Sequence, residues 1–141
     1  MISGGERNRI MENNTNIAAD ELMPFDIAEK IAKTLFNKQA RDVKMYRVTE
    51  TTIIADYYVI CTGRSSTHVR SLSDEIQYEL ECVGVNSKIE GVEASGWILV
   101  DFGSVIVHVF NSESRGFYKL ERLLETAEEI DISYLDVPEN K

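Results

Sequence analysis

The stretch from Gly96 to Phe110 constrains this chain more than any other. Two runs of β-branched, aliphatic and aromatic residues, Trp97-Ile98-Leu99-Val100 and Val105-Ile106-Val107-His108-Val109-Phe110, flank Asp101-Phe102-Gly103-Ser104. Gly103 allows the positive φ that a tight reversal needs, so the stretch reads as a β-hairpin. With Phe102 and Gly103 as loop residues, Asp101 faces Ser104, Val100 faces Val105, Leu99 faces Ile106 and Ile98 faces Val107. Side chains alternate across a strand, so Ile98, Val100, Val105, Val107 and Val109 share one aliphatic face that belongs on a core. The opposite face carries Trp97, Leu99, Asp101, Ser104, Ile106, His108 and Phe110. A solvated sheet face is usually polar. A Trp beside an Asp and a His implies a surface that something covers, either a partner or a helix of the same chain.

At 141 residues the chain fits one domain with a hydrophobic core of its own. No apolar run reaches the roughly 18–20 residues of a membrane span, and the polar N-terminus lacks the apolar stretch of a secretory signal. Fifteen Lys and Arg against 24 Asp and Glu give a formal charge of −9. That balance argues against a direct grip on nucleic-acid phosphate and permits a basic protein partner. Cys61 falls in a strand pattern and Cys82 in a helical one, and both are expected to be buried, reduced thiols of a cytoplasmic protein.

Residues 1–23, with Gly4-Gly5 and Asn13-Asn14 and no sustained apolar period, read as a mobile extension. Pro24 suits the first turn of a helix, and Phe25, Ile27, Ala28, Ile31, Ala32, Leu35 and Phe36 recur at helical spacing to about Gln39. Asp42 to Val48 alternates as a half-exposed strand. Residues 53–61 are apolar on both faces apart from Asp56 and read as a central strand covered from both sides; Asp56 caps its start or is a partly buried carboxylate with a function. Gly63-Arg64-Ser65-Ser66 opens a second helix, with Ser65 or Ser66 as N-cap and Val69, Leu72, Ile76, Leu80 and Val83 as its inner stripe, stopped by Gly84. A short strand is expected around Ser87 to Val92. After the hairpin, Phe117, Leu120, Leu123, Leu124 and Ala127 predict a third helix over Glu113 to Glu129. Residues 129–141 form an acidic tail expected to fray. The order is that of an α/β (α+β) fold, a single mixed β-sheet packed with helices.

Gly96-Trp97-Ile98-Leu99-Val100-Asp101-Phe102-Gly103 leading into Val105–Phe110 resembles the signature of the ribosomal silencing factor, or Iojap, family. Ala55-Asp56-Tyr57-Tyr58-Val59-Ile60-Cys61-Thr62-Gly63 resembles its second signature and Glu113-Ser114-Arg115-Gly116-Phe117-Tyr118-Lys119-Leu120-Glu121 its third. On this resemblance residues 24–128 are the family domain, with a nucleotidyltransferase-like fold. The resemblance implies a translational repressor that docks on protein fourteen of the large ribosomal subunit and sterically blocks joining of the small subunit. No membrane and no direct nucleic-acid contact are required for that. Carried onto this chain, Trp97 is the aromatic anchor, Phe102 the apolar contact at the hairpin tip and Asp101 the partner of a basic group, with Leu99 and His108 alongside. Many family members have an acid where this chain has Ser104, so one charge contact changes character here. Many also have Trp where this chain has Leu124, a packing substitution. The same apolar face would allow a homodimer when the protein is free.

Enzyme readings compete with this. A strand, then Gly63-Arg64-Ser65, then a helix is loosely like the phosphate turn of a nucleotidyltransferase or another nucleotide-binding protein. That chemistry needs paired carboxylates, conventionally two residues apart on a strand, to hold Mg²⁺. Asp101 has Gly103 at that spacing and Asp56 has Tyr58. Asp101-Phe102-Gly103 also spells the kinase metal-binding tripeptide, but no glycine-rich loop or catalytic-loop pattern accompanies it. His68 and His108 have no Cys or second His at ligand spacing, and Ser65, Ser66 and Cys61 have no histidine close in sequence to activate them. The expectation is a non-enzyme with no catalytic, cofactor-binding or metal-ligating residue.

Overall fold

The computed structural model describes residues 22–91 and 96–137. The expected N-terminal extension, the Val92 end of the short strand and the last residues of the tail lie outside them. The elements are α1 (Pro24–Asn37), β1 (Arg41–Arg47), β2 (Tyr57–Gly63), α2 (Ser66–Glu81), β3 (Lys88–Glu90), β4 (Trp97–Asp101), β5 (Val105–Asn111), α3 (Ser112–Tyr118), a 3-10 segment at Leu120–Leu124, β6 (Glu128–Ile130) and a 3-10 turn at Ser133–Leu135. The six strands form one mixed sheet in the order β3-β4-β5-β2-β1-β6. β2 and β5 run parallel, Tyr57 beside Val105 through Gly63 beside Asn111, and the neighbouring ladders are antiparallel. The stretch from Tyr57 to Cys61 is thus interior, as its apolar pattern requires.

One face of the sheet carries the main core. Ile27, Ile31 and Leu35 of α1 and Val69, Leu72, Ile76 and Leu80 of α2 pack on Val59, Cys61, Ile98, Val100, Val105, Val107 and Val109. Ser65 is the N-cap of α2, its hydroxyl accepting from the His68 amide at 3.1 Å. Gly63 has to be glycine because a Cβ there would stand 2.7 Å from Val69 Cγ2. The opposite face holds a smaller cluster of Tyr46, Val48, Ala55, Ile60, Ile106, Phe110 and Leu124, with Leu120 and Ala127 of the C-terminal segment packed on it.

The structure corrects five expectations. The hairpin register is shifted by two residues from the one the sequence suggested: Asp101 faces Ile106, Val100 faces Val107 and Trp97 faces Phe110. The Phe102 amide donates to the Val105 carbonyl at 2.9 Å, which leaves Gly103 (φ 92°) and Ser104 as the loop. Glycine at the first of two loop positions suits a type II′ turn. A slip of two preserves both faces and adds the Phe102 ring to the core, which explains why this register wins.

The strand expected over residues 53–61 starts only at Tyr57. Ile53 and Ile54 are exposed in a turn in which the Thr51 and Thr52 amides both donate to the Val48 carbonyl. Asp56 instead uses its backbone, donating to the Ser104 carbonyl and accepting from the Val48 amide.

The third helix ends at Tyr118 because Lys119 turns left-handed (φ 51°). Leu120, Leu124 and Ala127 then reach the sheet while Phe117 and Leu123 point to solvent. The expected fraying from Glu129 is absent across 129–137. β6 pairs with β1, Met45 beside Ile130, and Ile132 is buried in the main core. Lys33 Nζ donates to the Leu135 and Val137 carbonyls at 3.3 and 3.2 Å.

Cys82, finally, is exposed, because it caps α2 off the stripe that ends at Leu80 and Val83.

Candidate functional site

The mixed face of the hairpin is neither fully covered nor bare. The C-terminal segment closes its β1, β2 and β5 side, while Trp97 and Leu99 on β4 stay half-buried at the margin of the cluster. The Trp97 indole is held by rings on several sides. It stacks on Phe110 with centroids 5.1 Å apart, lies 4.6 Å from Tyr118 and 5.9 Å from His108. Its Nε1–H donates to His108 Nδ1 at 3.2 Å. Gly96 (φ 72°) makes room for this arrangement: a Cβ would stand 2.3 Å from Ser114 Oγ, so glycine lets the start of β4 press against the first turn of α3. Asn111 caps that turn, its Oδ1 accepting from the Ser114 amide at 2.8 Å.

His108 is 4% exposed, and its ring lies 4.8 Å from that of Tyr58. Because Nδ1 accepts from Trp97, the neutral ring carries its proton on Nε2, which has no hydrogen-bond partner among the described residues. Burial pushes the imidazole down to about 4. A neutral His108 therefore orients Trp97 from beneath, and the result is a half-buried aromatic platform.

The remaining residues expected at the site separate into two groups. Asp101 is half-buried at the hairpin tip, where Oδ1 accepts from the Gly103 amide at 2.8 Å. Ser104 is half-buried beside it, and its carbonyl accepts from both the Asp56 and Tyr57 amides. Trp97, Leu99, Asp101 and Ser104 are accessible along one margin. Phe102, 6% exposed and in the main core, is on the other face of the hairpin, and His108 is beneath the surface. Their physical roles here are packing and orientation.

Sequence reasoning missed Tyr58 and Tyr118. Tyr58 reaches the site only through the parallel β2–β5 ladder, for which the sequence offered no signal. Tyr118 sits in a recognisable motif but looked like one residue of a longer helix.

Arg115 was also missed as a structural tie. Its guanidinium donates to the Asp42 carbonyl at 2.7 Å and Thr62 Oγ1 at 2.8 Å, and it forks onto Glu121, Nε to Oε1 at 3.2 Å and Nη2 to Oε2 at 2.8 Å. The hydrogen bond from Arg115 holds the Glu121 carboxyl below its ordinary value, with the positive charge adding to the effect and burial opposing it. This fork spans the break between α3 and the 3-10 segment and fixes Tyr118 against Trp97.

Among the described residues no group of three or more His, Cys, Asp or Glu is placed to hold a metal ion. None of their helices is long and apolar enough to cross a membrane.

The family model described as "Ribosomal silencing factor during starvation" matches residues 22–141. The chain belongs to the ribosomal silencing factor family. It is similar to the ribosomal silencing factor of Bacillus subtilis, 34% identical over 99 residues that cover 70% of this chain and 84% of the relative. The corresponding protein of Zymomonas mobilis is 35% identical over 109 residues, covering 77% and 82%. A crystal structure of a Chromobacterium violaceum protein superposes with a TM-score of 0.70 at 28% identity, covering 72% of this chain and 86% of that one. The family match spans all three motifs singled out in the sequence, and its range also takes in β6 and the buried Ile132.

Proposed function

We propose that this silencing factor docks on protein fourteen of the large ribosomal subunit through the open margin of the hairpin. Its bulk would then keep the small subunit from joining and so repress translation. No bond is made or broken; the mechanism is occlusion. The observation that carries the reading is Trp97, half-buried and ringed by Phe110, His108 and Tyr118. A large side chain already fixed in place loses little entropy on binding, which is what an interface anchor requires. Leu99 extends the apolar contact, Asp101 offers its remaining oxygen to a basic group, and Ser104 replaces an acid with a hydroxyl at the tip. The protein works in the cytoplasm, where ribosomes are, and free molecules can use the same margin to pair with one another.

The test is co-sedimentation with isolated large subunits, together with a subunit-joining assay. Trp97→Ala should cost on the order of 2 kcal/mol of binding, roughly a thirtyfold loss of affinity. Binding and joining inhibition at wild-type levels, in a variant shown to be folded, would remove Trp97 from the interface.

A further inference from the structure

The cations of this acidic chain are unevenly distributed. Lys30, Lys38, Lys44, Arg47 and Arg115 each pair with a carboxylate, and Lys33 caps two carbonyls. Lys88, on the edge strand β3, is exposed and forms no ion pair among the described residues, and neither do the exposed Arg41, Arg64, Lys119 and Arg122, of which Arg64 donates from Nε to His68 Nδ1 at 3.4 Å. The fold gathers these four at one end of the sheet. Arg41 stands beside Thr62 across the β1–β2 ladder, and Arg64 follows two residues after Thr62. Arg115 reaches from α3 to the same Thr62 and to Asp42. Lys119 and Arg122 line an open cleft of about 440 Å³ together with Asp42, Thr62, Ser112, Arg115, Gly116 and Glu121. Three cations, Arg115, Lys119 and Arg122, thus line a cleft that also holds the carboxylates Asp42 and Glu121, with Glu113 in the first turn of α3, while Arg41 and Arg64 stand at the same end of the sheet outside that lining.

In a protein with a formal charge of −9, four exposed cations at one end of the sheet without an ion-pair partner among the described residues oppose the overall charge. They do not converge on one point. Arg115 is already engaged by Glu121, Thr62 and the Asp42 carbonyl. A compact phosphate ligand in the cleft would meet those two carboxylates. A strand whose phosphates are spaced along its length would meet the four free cations on the rim instead.

We propose that Arg41, Arg64, Lys119 and Arg122 form a rim that contacts the phosphodiester backbone of large-subunit RNA. The inference builds on the ribosomal docking proposed above. It adds a second contact, non-specific in sequence, next to the aromatic margin that recognises the protein partner. Tyr118 connects the two, since it touches Trp97 and immediately precedes Lys119. Phosphate contacts of this kind orient a protein on its particle and leave selectivity to the anchor.

The test compares wild type, the quadruple variant Arg41→Gln/Arg64→Gln/Lys119→Gln/Arg122→Gln and Trp97→Ala, all checked for folding by circular dichroism. Each is titrated against intact large subunits and against large-subunit RNA stripped of protein, over about 50 to 200 mM salt. Each phosphate contact contributes about 0.7 to 0.9 to the slope of log affinity against log salt. The quadruple variant should therefore lose about 3 from that slope on intact subunits and bind stripped RNA at least tenfold more weakly. Trp97→Ala should lose affinity for subunits with its slope unchanged. Equal slopes for wild type and quadruple variant overturn the rim. A slope that falls on subunits without any change on stripped RNA also overturns it, in favour of an acidic protein neighbour. Wild type that fails to bind subunits, yet binds stripped RNA in a variant-sensitive way, refutes the docking reading and leaves the rim standing.

Discussion

Replacing His108 with Phe should remove a pH dependence of stability that the wild type carries. In the folded protein burial lowers the imidazole from 6.5 to about 4. The unfolded chain therefore binds a proton between those values that the folded chain refuses. By linkage, stability rises with pH wherever the unfolded state holds more protons. The contribution of the neutral ring is complete above about pH 6.5 and is lost as pH falls toward about 4. At about 1.4 kcal/mol per pKa unit, the full loss is on the order of 3 kcal/mol, of which about 2 kcal/mol accrues between pH 7.5 and 5. Most carboxylates titrate below that upper window, so it isolates the histidine. Urea unfolding at about pH 7.5, 6.0 and 5.0, followed by circular dichroism, should show wild type weakening by roughly that amount and His108→Phe staying nearly flat. Parallel pH profiles would mean that His108 takes up its proton without cost and that its burial beneath Trp97 is misjudged. Large-subunit binding by His108→Phe should also weaken, because Trp97 loses the acceptor that orients it.

Arg115→Met should destabilise the fold by about 2–4 kcal/mol, since it strands Thr62 and the Asp42 carbonyl and frees Glu121, which is partly solvated and recovers some of the cost; a urea midpoint unchanged from wild type would refute the tie. The Glu121 share of that stability is present above its unfolded pKa and lost on acidification through its lower folded value, so the gap between the two proteins should narrow below about pH 4. Phe102→Ala should cost about 3–5 kcal/mol in denaturant melts because the ring fills the core, whereas a surface contact at the hairpin tip would leave stability unchanged. A bulky thiol reagent should label Cys82 promptly in the native protein and leave Cys61, buried and pushed up to about 12, unmodified until unfolding; equal labelling rates would contradict the burial of Cys61.

Local patterns in the sequence were enough to determine the two long helices, a serine cap at Ser65 or Ser66, the hairpin with glycine at its turn and the division of that hairpin into an aliphatic and a mixed face. Each rests on interactions within a few residues or on strict alternation, and alternation survives a slip of two. The three motifs likewise sufficed to identify the family. Tertiary structure decided the rest. Apolar spacing alone could not reveal that Lys119 turns left-handed and breaks the third helix, because the break is secured by Arg115, whose other partners are Asp42 and Thr62, more than fifty residues upstream. Nor could composition show that the acidic end would close onto β1 and bury Ile132, since the gain comes from a vacant strand edge and a gap beside α1 that exist only once the sheet has formed. Phe102 went into the core for the same reason, because the register that buries one more ring wins. The parallel β2–β5 ladder set Tyr58 beneath the site and gathered Arg41, Arg64, Lys119 and Arg122 at one end, positions far apart in the chain that only the ladder makes neighbours.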